Sequence, residues 1–587
     1  MDEQDDRTQI DPRANPWAML ASLPLFSGLP KEIIDAAVAE LEWITLPGDS
    51  LLFEAGEPAD SVYFVVSGCL GAFSAGGKLV GRIAAGESVG EMGLIVARPR
   101  AATVRALRDS DLARLSSGTF ERVLLSHPAA ILRLARLSVE RLLENAPARS
   151  SAPAAPRTIT VIPYDSTIDV AGLAANLVKA LTQLGRVDLV GSTRAGGHSS
   201  QWFHEVESRN NFVVYVAGPG DTAWNQLCVR QADVLVLAAR ARDEAGPWSC
   251  LNRDAHARQR AELLLLHEGA IVNGASARWR PTLPGAPCHH LRGPADMPRI
   301  VRLMTHRAVG LVLSGGGARG FAHLGVVRAL RENGVPIDMI GGSSMGGILA
   351  AGVAADWTNE ELFERFRRSF VETNPLSDFT WPLVSLVSGR KVGQLLRREL
   401  GDIDIEDLPL PFFCVSSNLT SGRVAVHQQG PLWRWLRASV AIPGVLPPVF
   451  HGGEVFVDGG TMNNLPVDVM RAMNRGPVIG VDVATDPTFT SDIDATEAPP
   501  LWNLFRRQRG RRKRPNILQI LWRSGMVNST TSRQENRGQC DLLLMPPLES
   551  LDLLDWKSFA RAIEIGYRHA CERLDAGGLD LLNPPHP

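Results

Sequence analysis

Short apolar runs that alternate with polar residues, punctuated by glycine, fill the first quarter of the chain at Ser50–Phe53, Ser61–Val66 and Leu70–Phe73. Alternation with period two predicts half-buried strands. Apolar-striped helices are predicted on either side, Lys31–Leu41 before and Gly118–Leu142 after. Residues 23–145 therefore read as a small β-barrel domain behind an N-terminal tail, 1–22. The rhythm breaks at 146–157, where the alanine-, proline- and serine-rich run Ala146–Pro156 predicts an extended linker. Beyond it, strands at Thr158–Ile162, Phe212–Ala217 and Asp233–Ala238 alternate with helical stretches such as Val170–Leu184. This is the pattern of a separate α/β domain, 158–305. A third region, 306–484, continues the alternation with strand Val309–Leu313, helix Phe321–Glu332, strand Ile337–Gly341 and helix Gly346–Ala355. It leaves 485–587 as a C-terminal extension. The expected fold class is multidomain α/β, since 587 residues exceed what one hydrophobic core organises.

Composition adds little to this division. With 45% apolar and 21% charged residues and a formal charge of −2, the global electrostatics select no partner. No uninterrupted apolar stretch is long enough to span a bilayer, and the acidic start Met1-Asp2-Glu3-Gln4-Asp5-Asp6 is unlike a signal peptide, so a cytoplasmic protein is expected. The 7 cysteines are scattered without a C-x-x-C pair, which argues against a disulfide scaffold. Cys288-His289-His290 reads as a loop rather than a metal site, because adjacent ligands do not easily share one tetrahedral ion. No metal is expected.

The candidate chemistry lies in three glycine-flanked segments of the third region. Gly342-Ser343-Ser344-Met345-Gly346 is a G-x-S-x-G element between a predicted strand and a predicted helix, the setting in which a sharp turn exposes a serine hydroxyl. Upstream, Ser314-Gly315-Gly316-Gly317-Ala318-Arg319-Gly320 follows a strand and opens a helix. Its backbone N–H groups and the helix dipole make an anion site. The same loop fits the G-x-G-x-x-G of a dinucleotide fold. Against that reading, no acidic residue ends the following strand, which runs into the Ser344 turn instead. An oxyanion hole needs this order, with donors on one loop and the nucleophile on the next. The third segment, Asp458-Gly459-Gly460, follows the apolar run Val455-Phe456-Val457. Burial there would raise the carboxyl pKa and make Asp458 a usable base. A Ser–acid–His triad would need a later histidine. Only His569, inside a predicted helix 560–574, and His586, in a proline-flanked tail, follow Asp458, and neither sits on a suitable loop. His323 reads as a packed residue.

These segments, in this order, resemble the patatin-like phospholipase family, whose members hydrolyse lipid acyl esters with a Ser/Asp dyad. The resemblance extends over roughly Val309–Val483 and includes Ala438–Gly444 and Asn463-Asn464-Leu465-Pro466. It implies Ser344 as nucleophile, Asp458 as base, and Gly315, Gly316, Gly317 and Arg319 as the oxyanion loop, with no catalytic cofactor.

In the first domain, Gly86–Ile95 followed by Arg98-Pro99-Arg100-Ala101-Ala102 joins a glycine-bounded helical turn to a proline-fixed arginine, a phosphate-sized pocket. This resembles the cassette of cyclic nucleotide-binding domains. The resemblance implies a pocket of Gly90, Glu91, Arg100, Ala101 and Ala102, with Glu91 on the ribose hydroxyl and Arg100 on the cyclic phosphate. Ala101 stands where cGMP-selective relatives often carry threonine, so cAMP is the favoured ligand. The loop Pro163–Thr167 of the middle domain lacks the G-K-[ST] that would cradle phosphates, and that domain is read as structural or coupling. The run Phe505–Arg514, basic over 506–514, reads as a solvated loop or, beside Leu501-Trp502, as a peripheral contact with anionic lipid. Nucleic acid is not expected as a partner. The domain order as a whole resembles the neuropathy target esterase branch, which implies hydrolysis of a phospholipid or lysophospholipid under possible cyclic nucleotide control. The alternative is a nucleotide-responsive scaffold with an inactive hydrolase domain.

Overall fold

The computed structural model describes residues 15–136, 156–251, 260–484 and 529–582, apart from positions 78, 126, 129, 134, 196, 197, 199, 382 and 383. Most of the linker and all of the basic stretch 506–514 lie outside the described residues. The chain divides into two compact units. One holds Met1–Ala239, Gly246–Leu264 and Thr282–Pro287; the other holds Arg240–Ala245, Leu265–Pro281 and Cys288–Pro587.

In the first unit, the alternating runs become strands β1 (Glu42–Leu46), β2 (Leu51–Phe53), β3 (Ser61–Ser67), β4 (Cys69–Phe73), β5 (Leu79–Ala84), β6 (Ser88–Val89), β7 (Thr103–Ala106) and β8 (Ser110–Ser116). The expected barrel does not close. The strands form two four-stranded antiparallel sheets, β1-β8-β3-β6 and β2-β7-β4-β5. Inward-facing Phe53, Val65, Leu70, Val104 and Leu112, contributed by both sheets, make one apolar cluster. A second cluster takes in Leu20 from helix Pro16–Ser22, so the end of the segment read as a tail belongs to the domain core.

The middle domain is wound as its sequence alternation predicts. Strands β9 (Thr158–Pro163), β10 (Val187–Val190), β11 (Phe212–Val216) and β12 (Val234–Arg240) are parallel in the order β10-β11-β9-β12. Charged pairs join it to the nucleotide-type domain. Arg108, in the turn between β7 and β8, pairs with Asp233 at 2.8 Å and with Glu207, while Arg82 reaches Asp233 at 2.9 Å. Tyr215 donates to Glu207 at 3.0 Å, and Arg230 grips Asp109 at 2.7 Å. Burial pushes Asp233 upward, but the two arginines hold its carboxyl well below the usual carboxylate range.

Two further strands follow along the chain, β13 (Arg260–Leu266) and β14 (Cys288–Leu291). Cys288-His289-His290, read from sequence as a loop, is thus extended. Apolar neighbours at Leu291 and in β13 favour the strand, and buried His290 lies 2.8 Å from His267 and 2.9 Å from the Glu406 carbonyl.

The second unit is built on an eight-stranded mixed sheet. Its strands are β15 (Gly310–Leu313), β16 (Met339–Ser343), β17 (Phe412–Asn418), β18 (Arg423–His427), β19 (Val449–His451), β20 (Glu454–Asp458), β21 (Val478–Val481) and β22 (Leu542–Leu544), in the order β19-β20-β17-β16-β15-β21-β22 with β18 beside β17. The central strands are parallel and nearly continuous in apolar sequence, as a sheet covered on both faces requires. The segment read as an extension supplies β22 to this sheet and the helix Phe559–Arg573 to its surface. That helix crosses Ala322–Glu332 backbone to backbone. A Cβ added at Gly566 would lie 2.1 Å from the Ala322 carbonyl oxygen, and one at Gly325 2.0 Å from that of Ile563. Gly566→Ala should therefore cost about 2–4 kcal/mol in urea unfolding through overpacking. Gly393→Ala, inside helix Arg390–Leu400 with open space around it, should instead gain up to about 1 kcal/mol.

Candidate active site

Ser344 is placed by the end of β16. The chain must reverse at once because helix Met345–Ala354 packs back on the sheet, and Ser344 takes the turn at φ 53°, ψ −124°. For a non-glycine residue such a backbone costs about 1–3 kcal/mol and persists only where its surroundings hold it. Ser439 helps to hold it, its Oγ accepting from the Ser344 amide at 2.9 Å. Gly346 permits the close return of the helix, since a Cβ there would lie 2.3 Å from the Leu313 carbonyl oxygen.

Asp458 comes from the opposite direction. Cys414 and Val415 of β17 pair with both β16 and β18, so those two strands lie on opposite edges of β17. Ser416–Asn418 pair with both β18 and β20, so β20 shares an edge with β16. β16 runs parallel to β17 and β20 antiparallel, and the two meet head to head: Ser343 stands opposite Val415, and Asp458 opposite Ser416. The Ser344 hydroxyl donates to Asp458 Oδ2 at 2.8 Å, while Oδ1 accepts from the Gly460 amide at 2.8 Å. Both residues are buried. Burial raises the Asp458 carboxyl to about 7, and the two hydrogen bonds offset that rise only in part.

The glycine loop lies beside this pair, and its three glycines differ. The Gly315 amide donates to the Asn464 carbonyl at 3.2 Å. Its role is steric, because a Cβ there would lie 2.6 Å from Asn464 Oδ1 and 3.0 Å from Ser344 Cβ. Among the described residues the Gly316 and Gly317 amides donate to no acceptor in the chain, which leaves them for a ligand. Gly317 has φ +55°, and the next amide, Ala318, is tied to the Leu553 carbonyl at 2.8 Å. Arg319 turns its Nε to the Leu551 carbonyl at 2.8 Å, so it braces the loop against the C-terminal segment.

An apolar cavity, open on one side to solvent, lies against Ser344 and Gly317, with walls that include Ile348, Phe370, Leu376, Val392, Leu446 and Trp556.

Three histidines near these elements are engaged elsewhere. His323 is fully buried and donates to the Ser314 carbonyl at 2.9 Å, and burial lowers it to about 4. His427 bonds Ser416 at 2.7 Å and stacks on Trp435, while His569 accepts from the Met545 amide at 3.1 Å. His586 lies outside the described residues.

In the nucleotide-type domain, Gly90 adopts φ 93° and caps the helix Glu91–Val96. Arg100 is buried. It donates to the Gly90 carbonyl at 3.0 Å and to Asp60 at 3.1 Å, with its guanidinium 4.2 Å from the Phe53 ring centre. Glu91 is also buried, while Ala101 is exposed and Ala102 half-buried. The five residues read from the sequence thus lie at one place.

Sequence reasoning missed Ser439, Asn464, and the Leu553–Trp556 wall from the C-terminal segment. Ser439 and Asn464 lay inside quoted motifs but carried no signal of their roles. The wall is separated from Ser344 by some two hundred residues, and only tertiary packing joins them.

Comparison with known proteins agrees with this arrangement. Residues 43–127 match the model of the cyclic nucleotide-binding domain, 156–295 that of the neuropathy target esterase family P-loop-like domain, and 311–471 that of patatin-like phospholipases. The chain is 28% identical to lysophospholipase NTE1 of Candida glabrata over 90% of its own length and 40% of that protein. It is 27% identical to the Saccharomyces cerevisiae protein of the same name, with the same coverage. It is also 27% identical to human patatin-like phospholipase domain-containing protein 6, over 95% of this chain and 46% of that one. The chain thus spans less than half the length of these curated relatives. It carries, in this order, domains that match the cyclic nucleotide-binding, neuropathy target esterase P-loop-like and patatin-like phospholipase models, and in that order it is similar to the neuropathy target esterase branch.

Proposed function

We propose that the chain is a serine lipid acyl hydrolase acting on a phospholipid or lysophospholipid through a Ser344–Asp458 dyad. The observation that carries this reading is the buried 2.8 Å hydrogen bond from the Ser344 hydroxyl to Asp458 at the mouth of an apolar cavity. Asp458 Oδ2 takes the hydroxyl proton as Ser344 Oγ attacks the ester carbonyl carbon. The carbonyl oxygen gains negative charge, and the Gly316 and Gly317 amides receive it beside Gly315. Collapse expels the alcohol, which leaves with the proton held by Asp458. Water then gives a proton to Asp458 and attacks the acyl-enzyme, and that proton returns to Ser344 Oγ as the fatty acid departs.

Ser344→Ala and Asp458→Asn should each abolish hydrolysis of a lysophospholipid, and a fluorophosphonate probe should label Ser344 in the wild type. Failure to label would favour the scaffold reading. Retained activity in Asp458→Asn, with loss in His569→Ala, would restore a triad. Because the base must be ionised, kcat/KM should rise with pH to a plateau, with its midpoint near 7. Stability should move the opposite way. The folded carboxyl titrates about 7 and an unfolded Asp near 3.9, so the folded state holds the extra proton between these values and loses relative stability as pH rises through them. Asp458→Asn should therefore exceed the wild type in urea stability at pH 8 and converge on it near pH 4.

The second part of the reading is a cyclic nucleotide ligand, cAMP favoured, at Gly90, Glu91, Arg100, Ala101 and Ala102. A cyclic phosphate would displace Asp60, an exposed partner, from Arg100. Arg100→Ala should weaken binding of a fluorescent cAMP analogue by about tenfold or more, the worth of a charge-assisted hydrogen bond. Titrating cAMP while following hydrolysis tests control of the enzyme.

The basic stretch 506–514 is assigned to anionic headgroups. Arg-to-Ser changes there should reduce co-sedimentation with vesicles rich in phosphatidylglycerol, and unchanged binding would remove the assignment.

A further inference from the structure

Among the described residues, the two most exposed large apolar side chains are Trp381, at 86%, and Phe379, at 79%. They belong to the same short hairpin, with Val384 at 63% on its other leg. Its legs are held firmly. Phe379 bridges to Val387, the Thr380 amide donates to Leu386 at 3.1 Å, and Ser388 bonds Asp378 through both its amide, at 2.8 Å, and its hydroxyl, at 2.6 Å. Single apolar residues on a surface are ordinary, but a fastened hairpin that presents three together is a built feature.

Its roots are the walls of the cavity. Pro375 and Leu376, just before the hairpin, and Val392, just after it, line that space. The Leu386 and Val387 amides donate to the Gly444 and Val445 carbonyls at 2.9 and 3.0 Å, and the neighbouring Ile442 and Leu446 line the cavity too. Exposed Arg390 and Lys391 flank the root with positive charge. Exposed tryptophan and phenylalanine on a hairpin whose root carries two exposed cations fit a phospholipid surface, where aromatic rings settle among the headgroups and cations meet the phosphates.

We propose that Phe379, Trp381 and Val384 dock the protein on a phospholipid surface at the rim of the cavity, so that an acyl chain passes from lipid to Ser344 without crossing water. This rests on the lipid hydrolase reading, and it adds where the enzyme meets its aggregated substrate.

The test uses the full chain and vesicles of phosphatidylcholine alone, on which the basic stretch has no anionic lipid to meet. Phe379→Ser/Trp381→Ser, made in a Ser344→Ala background so that lipid is not consumed, should lower the vesicle-bound fraction in flotation by about tenfold or more. With Ser344 intact, the double variant should lose a similar factor in kcat/KM on vesicle substrate yet keep its rate on dissolved p-nitrophenyl butyrate. Unchanged flotation, or absence of wild-type flotation, overturns the proposal. Equal losses on both esters with a lower Tm would show a structural role and overturn it as well. A wild-type dimer that becomes monomeric in the variant, with vesicle binding intact, would make the patch a contact between two copies of this chain. A wild type that cleaves neither ester would defeat the hydrolase reading, while flotation would still decide the docking.

Discussion

Two strands running toward each other along one edge of β17 are the constraint on which the site depends. β16 can deliver Ser344 to Asp458 only because β17 is long enough to pair with β16 over Phe412–Val415 and then with β20 over Ser416–Asn418. Side chains at the two abutting ends have no freedom to choose other partners. Ser417 closes the junction by donating to the Asp458 carbonyl at 2.9 Å. With both backbones fixed by sheet hydrogen bonds, the 2.8 Å contact needs no flexible third residue to orient it, which is the service a histidine's orienting acid provides in a triad.

The same junction sets the chemistry by removing water. An Asp at its ordinary pKa is a weak base for a serine hydroxyl, and burial raises the Asp458 carboxyl to about 7, the range that the proposed proton transfer needs. The cost falls on stability, and the Ser344 backbone adds its own strain. Both are held by packing around them: the Ser439 hydroxyl on the Ser344 amide, the helix Met345–Ala354 buried throughout, and the C-terminal helix locked through Gly325 and Gly566. The C-terminal segment is therefore part of the same unit, supplying one strand, the brace for Arg319 and one wall of the cavity.

Much of this was legible in sequence because it is local. Gly342, Gly346 and the Gly315–Gly317 run mark places where neighbouring backbone or side-chain atoms approach too closely for a Cβ, and apolar runs before Ser314, Ser344 and Asp458 mark buried strands. Local pattern carries no register, however. It could not say that Asp458 and Ser344 meet end on, that Gly315 spends its amide on Asn464, or that Trp556 lines the cavity. The strand before Ser344 also lies two residues later than its apolar pattern predicts, because Gly342 and Ser343 pair with β17 although neither is a strand former. In the first domain, alternation gave the strands but could not tell one closed barrel from two sheets, since both bury every second residue.

What a nucleotide at Arg100 can do is bounded by the charges nearby. β7 begins three residues after Arg100 and ends two before Arg108, so the two arginines stand at either end of one strand. Arg108 is sunk in a cluster with Asp233 and Glu207, whose side chains are 7% and 12% exposed, and removing one partner from such a cluster costs up to about 3–5 kcal/mol. Allosteric coupling is typically worth about 1–3 kcal/mol. To part the nucleotide-type domain from the middle domain, a ligand would have to supply more than such coupling typically carries. Substitutions at Arg108 or Asp233 therefore bear on the contact between the two domains as well as on stability.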